Sequence, residues 1–151
     1  MKKYLVLAVL LVIGTAVFAQ KVPEWKVTGK EGGSAAKDNT ITLNKGVNYV
    51  YIYFKSAGVD FDKILLDFTL SNPLEVIWQC VYQPGATLGN EQSIGIIDKG
   101  PIETGFENFT KKWFGSGPVN ASKLTGICLK VNDTVGKSVF KLTDVQWVGQ
   151  K

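Results

Sequence analysis

Residues 61–83, FDKILLDFTLSNPLEVIWQCVYQ, constrain this chain more than any other stretch. Ile64, Leu66, Phe68 and Leu70 alternate with Leu65, Asp67 and Thr69. A period of two is the mark of a half-buried β-strand, because successive side chains leave a strand on opposite faces. Ser71-Asn72-Pro73 has turn composition and predicts a break. Residues 76–83 are β-branched and aromatic and predict a second strand. There Ile77, Gln79, Val81 and Gln83 share one face, and Trp78, Cys80 and Tyr82 share the other.

The amino-terminal residues follow a different logic. Lys2 and Lys3 precede an almost wholly apolar run from Tyr4 to Phe18, and Val17-Phe18-Ala19 suits a cleavage site. Residues 1–19 therefore read as a secretory signal peptide, with Gln20 as the mature amino terminus. The apolar run is shorter than the ~20 residues of a spanning helix, so no membrane segment is expected after cleavage. Residues 20–151 are then one domain-sized unit, secreted or periplasmic.

Composition removes several chemistries. Histidine is absent, which excludes Ser-His-Asp and Cys-His triads and His-based zinc sites. Carboxylates, oxygen-ligated metals and pure binding remain. All 17 basic residues are lysine, and apart from Lys2-Lys3 and Lys111-Lys112 they are scattered singly. Nucleic-acid recognition relies on clustered charge and on arginine forks, so no nucleic-acid partner is expected. Glu91, Glu103 and Glu107 qualify as glycosidase carboxylates by residue type alone. The chain is expected not to be an enzyme.

Export also bears on Cys80 and Cys128. An oxidising compartment favours a disulfide between them, worth roughly 4 kcal/mol in the chain-entropy picture. The alternative is a pair of buried thiols acting as small hydrophobes.

Further strands are predicted at 24–29, 40–44, 48–54, 93–97, 124–131 and 139–148, with 84–90 as a loop. Phe106, Phe109, Trp113 and Phe114 fit either helical spacing or a strand with a turn. In 124–131, Ile127, Leu129 and Val131 face inward and Cys128 faces away. In the last strand Phe140 and Leu142 differ in parity from Val145 and Trp147, so a β-bulge near Thr143-Asp144 is needed to bring all four to the core. Eight to ten short strands without a strong helix predict an all-β, antiparallel β-sandwich of jelly-roll type.

The face parities carry the functional expectation. If Cys128, opposite an aliphatic face, bonds Cys80, then Trp78 and Tyr82 share the outward face with Cys80. Exposed clustered aromatics on an exported protein signify a contact surface. Sugars stack their C–H faces on flat rings, while Gln79, Gln83, Asn90, Glu91 and Gln92 lie close by to bond hydroxyls. The competing assignment places Trp78 and Tyr82 in the core, where large aromatics usually reside. The Tyr49, Tyr51, Tyr53 stripe suits a covered second layer or a binding platform equally. Trp25, Trp113 and Trp147 are assigned to the core.

Three passages resemble secreted carbohydrate-binding modules of the jelly-roll, galactose-binding-like type. They are Asp62–Phe68 with Val76–Gln79, Leu124–Asn132, and Phe140–Val148. The resemblance covers roughly residues 24–149 and implies a non-catalytic carbohydrate-binding role. It also implies a structural calcium held by Asp144 with Glu24. Calcium takes about six to eight oxygen ligands, and two side chains fall short of that, so a cofactor-free chain is expected. A structural or assembly component of the bacterial periplasm or cell surface, binding other proteins, is the alternative, because exposed Tyr and Trp serve protein interfaces as well.

Overall fold

A computed structural model describes residues 19–54, 61–83, 86–112 and 118–149, with the side chains of 83, 86–89, 111 and 112 set aside. Residues 1–18, which hold most of the expected signal peptide, and Trp113 lie outside the described residues. The strands are β1 (Ala19–Lys21), β2 (Trp25–Thr28), β3 (Thr40–Thr42), β4 (Gly46–Phe54), β5 (Lys63–Gln83), β6 (Ala86–Lys99), β7 (Ile102–Gly105), β8 (Lys111–Lys112), β9 (Gly126–Asp133) and β10 (Val139–Val148). Among the described residues the helical content is confined to single 3₁₀ turns, including Phe106–Asn108, whose Phe106 packs into the core with Phe109.

Every ladder is antiparallel, and the ladders link all ten strands. The result is one curled sheet with the outline of a half-barrel. β5 is its spine. The amino-terminal half of β5 pairs with β10 and β7, and its carboxy-terminal half pairs with β9 and β6. The sheet then continues from β9 through β4 to β2.

The break expected at Ser71-Asn72-Pro73 does not occur, because β5 runs through it. Pro73 has no N–H to give a ladder, and residues 71–73 fall where β5 has left β10 and not yet met β9. Side chains take over there. Ser71 Oγ accepts the Val139 N–H at 2.9 Å, and the Asn72 amide donates to Ser138 Oγ at 3.1 Å. One parity therefore holds for the whole strand. Ile64, Leu66, Phe68, Leu74, Val76, Trp78 and Cys80 all face the core.

Of residues 84–90, expected as a loop, 84 and 85 lie outside the described residues and 86–90 are the first part of β6. They pair with the end of β5 across two register shifts, between Gln79 and Val81 and between Val81 and Gln83, so the irregularity there is one of bulges within the ladder. The bulge expected in β10 is present between Leu142 and Asp144, and it buries Phe140, Leu142, Val145 and Trp147 together. Trp147 meets Phe54 edge-on at 5.1 Å and Phe106 at 6.0 Å. Gly126 lets β9 lie close to β4, since a Cβ there would sit 2.5 Å from the Ile52 carbonyl oxygen. On the opposite face of the sheet, Tyr51, Tyr53, Val81 and Cys128 form a small second cluster.

Candidate functional site

Trp78 is 0% exposed. It pairs in register with Leu129 on β9, whose side chain also faces the core. The expectation of an outward indole is thus corrected: the inward parity of Ile64 and Phe68 carries through Pro73 to Trp78. Its Nε1–H finds no acceptor among the described residues.

Tyr82 is half-buried and packs against the core. Its hydroxyl donates to Asn90 Oδ1 at 3.1 Å and accepts the Asn120 N–H at 3.4 Å. Burial pushes its phenol up to about 12, with the neighbouring Cys80 adding to the shift. Tyr82 is therefore a strut joining β5 to β6 and to the segment before β9.

The expected hydrogen-bonding residues are also occupied. The Gln79 amide donates to Glu91 Oε2 at 2.9 Å, and Glu91 is only 7% exposed. Asn90 is fully buried against Tyr82. The Thr104 hydroxyl donates to Gln92 Oε1. The Gln83 side chain lies outside the described residues. These groups come together around β5 and β6 as expected, but they satisfy one another.

Cys80 and Cys128 are both free and buried, which corrects the expected disulfide. Cys128 pairs with Gln79, and Cys80 pairs with Ile127. Cross-strand partners share a face, so the thiols lie on opposite sides of the sheet. Burial raises both; Cys128 is pushed up to about 12. Neither is an activated thiol.

Asp144 does not suit the implied calcium. Its Oδ1 accepts the Val145 N–H at 3.0 Å, its Oδ2 accepts the Gln146 amide at 2.7 Å, and Lys21 Nζ stands 3.7 Å away. Among the described residues no three Cys, Asp or Glu side chains gather at one place to hold a metal ion. Glu24 instead stands at an opening of another kind.

That opening is at the β2 edge. Trp25 pairs with Phe54 and Lys26 with Tyr53. Trp25 and Val27 face inward, but Trp25 begins its strand at the sheet margin, so its indole is only partly covered. Lys26 faces outward, with Nζ 5.4 Å from the Tyr53 ring centre, a cation–π distance. Tyr53 stacks on Tyr51 at 5.9 Å and 7°, and its hydroxyl accepts the Gly32 N–H at 2.9 Å. Glu24, Trp25, Lys26, Tyr53 and Phe54 line a cavity of about 380 Å³. The cleft offers ring surface for an apolar face, with a carboxylate and an ammonium at its rim. Trp25 does pack against the core as expected, but β2 ends the strand order and Trp25 is its first residue, so the ring stays partly open, a consequence that no local pattern signals.

Comparison with family models, with curated proteins and with solved structures found no match to this chain.

Proposed function

We propose that this is a non-catalytic, exported carbohydrate-binding protein, a variant of the jelly-roll type, whose stacking ring is Trp25. One observation carries this reading: Trp25 is the only indole among the described residues with surface open to solvent, and it lines the aromatic cleft. A cavity of that size falls within the range of small-ligand sites. A flat ring beside polar groups matches the two faces of a sugar, an apolar one and a hydroxylated one. Lys26 Nζ, which donates one N–H to the Gly33 carbonyl at 3.4 Å, keeps two further N–H groups for hydroxyls. Glycosidase chemistry is not favoured, since Glu103 is bonded to Lys63 at 3.0 Å and Glu91 is held by Gln79.

Affinity electrophoresis through gels containing β-glucan, xylan or mannan tests the proposal. Retardation of the wild-type protein in at least one gel, lost in Trp25→Ala and kept in Gln79→Ala, supports it. Free migration in every gel, or equal retardation of Trp25→Ala, contradicts it.

A further inference from the structure

The outward face at the other end of β4 carries a different feature. Tyr49, Lys130, Ile77 and Ser93 form one row across β4, β9, β5 and β6. Val47, Asn132, Glu75 and Ile96 form the next. Val47 is 57% exposed, Tyr49 42% and Ile96 77%. Among the described residues, three of the five exposed large hydrophobic side chains therefore sit on one face. A hollow of about 220 Å³ beside Val47 is lined by Glu75, Ile77, Lys130 and Asn132 as well.

The charges say what would cover this face. Glu75 and Lys130 are diagonal neighbours on adjacent strands, and neither makes an ion pair or side-chain hydrogen bond with any described residue. The patch thus holds one uncommitted carboxylate, one uncommitted ammonium and a set of apolar groups. Such a patch is complementary to itself. A two-fold axis lying in the interface and passing between Glu75 and Lys130 brings each Glu75 opposite the partner's Lys130, twice over. It also brings Ile77 and Val47 close to their own copies, with the two sheets ~10 Å apart. A partner of one charge would match only half of the patch. We infer that this face is the interface of a symmetric homodimer, independent of what the Trp25 cleft binds. Two rows of four residues are few beside the roughly 20–30 residues a side of a standard interface, so the dimer is weak and concentration-dependent.

Sedimentation of the full chain, as the cell processes it, tests this from about 1 μM to about 1 mM, the range that brackets weak association. The expected result is a monomer–dimer equilibrium in the wild type. Lys130→Glu and Glu75→Lys each place like charges opposite one another and should weaken dimerisation at least tenfold. An equimolar mixture of the two variants should restore it, because each unlike pair is recovered, and so should the double variant. A wild type that stays monomeric throughout would overturn the inference and leave the face to another partner. Single variants that dimerise like the wild type, or a mixture that fails to recover, would overturn it equally.

Discussion

Cys128 pairs in register with Gln79, one residue short of Cys80, so the two thiols of adjacent strands face opposite sides of the sheet. No side-chain rotation can bridge them. Intact mass under non-reducing conditions should correspond to two free thiols, and a thiol reagent should find none accessible in the folded protein and two after denaturation. A mass lower by two hydrogens would contradict the register. Both thiols are raised by burial, as is Tyr82. A raised folded pKa stabilises fully below the unfolded value, and that stability is lost as pH climbs. Stability should therefore fall from about pH 8.5 upward, where unfolded thiols begin to ionise. Denaturant midpoints at pH 7, 9 and 10 would show the fall, and Cys128→Ala should flatten it.

Trp78 acts through packing. Trp78→Ala should cost about 3–5 kcal/mol in urea unfolding, the usual range for removing a large buried aromatic. Trp25→Ala, half-exposed at the sheet margin, should cost clearly less. Equal costs would mean that Trp25 is as sealed as Trp78.

Asp133 organises the turn between β9 and β10. Its carboxylate accepts the backbone N–H groups of Val135, Gly136 and Ser138 at 3.1, 2.8 and 3.0 Å. Burial alone would raise its pKa, but those amides and the Ser138 side chain outweigh it and hold the group below the ordinary carboxylate range. A depressed folded pKa stabilises above the unfolded value, and that stability disappears as pH falls. The wild type should lose stability as pH falls below about 5 and on through the lowered folded pKa. Asp133→Ala should cost about 1–3 kcal/mol at pH 7 by leaving buried donors unpaired, and its acid limb should be shallower. An unchanged acid limb would assign the loss to other carboxylates.

Ser71 and Asn72 test the continuity of β5. Ser71→Ala should cost about 1 kcal/mol through the lost bond to the Val139 amide. Pro73→Ala should change stability by less than about 1 kcal/mol, since no ladder depends on that residue. A large effect of Pro73→Ala would point to a rigid turn there.

Much of the fold was legible because strand parity is a local signal. Phe140, Leu142, Val145 and Trp147 needed a bulge to reach one core, and the bulge lies between Leu142 and Asp144. The inward set Ile127, Leu129 and Val131 followed from alternation alone. The error at Pro73 was one of partnership. Proline composition reports a missing donor, but whether a donor is needed depends on strands distant in sequence. The same even parity from Ile64 through Leu74 to Tyr82 was present in the residues, and following it through Pro73 would have placed Trp78 in the core and separated Cys80 from Cys128. The site was less legible. Tyr82, Asn90, Gln79, Glu91, Gln92 and Thr104 have the residue types of a sugar site, but their commitment to one another is a tertiary property. Trp25 was hidden because half-burial arises from its position at a sheet margin, which depends on the strand order ending at β2.

Tryptophan emission during titration with the polysaccharide that retards the protein is the most direct test of Trp25 as the stacking ring. Among the described residues Trp78 and Trp147 are sealed, so in a Trp113→Phe background a saturable blue shift that vanishes on adding Trp25→Phe is the predicted result. The same shift persisting once Trp25→Phe is added would contradict it.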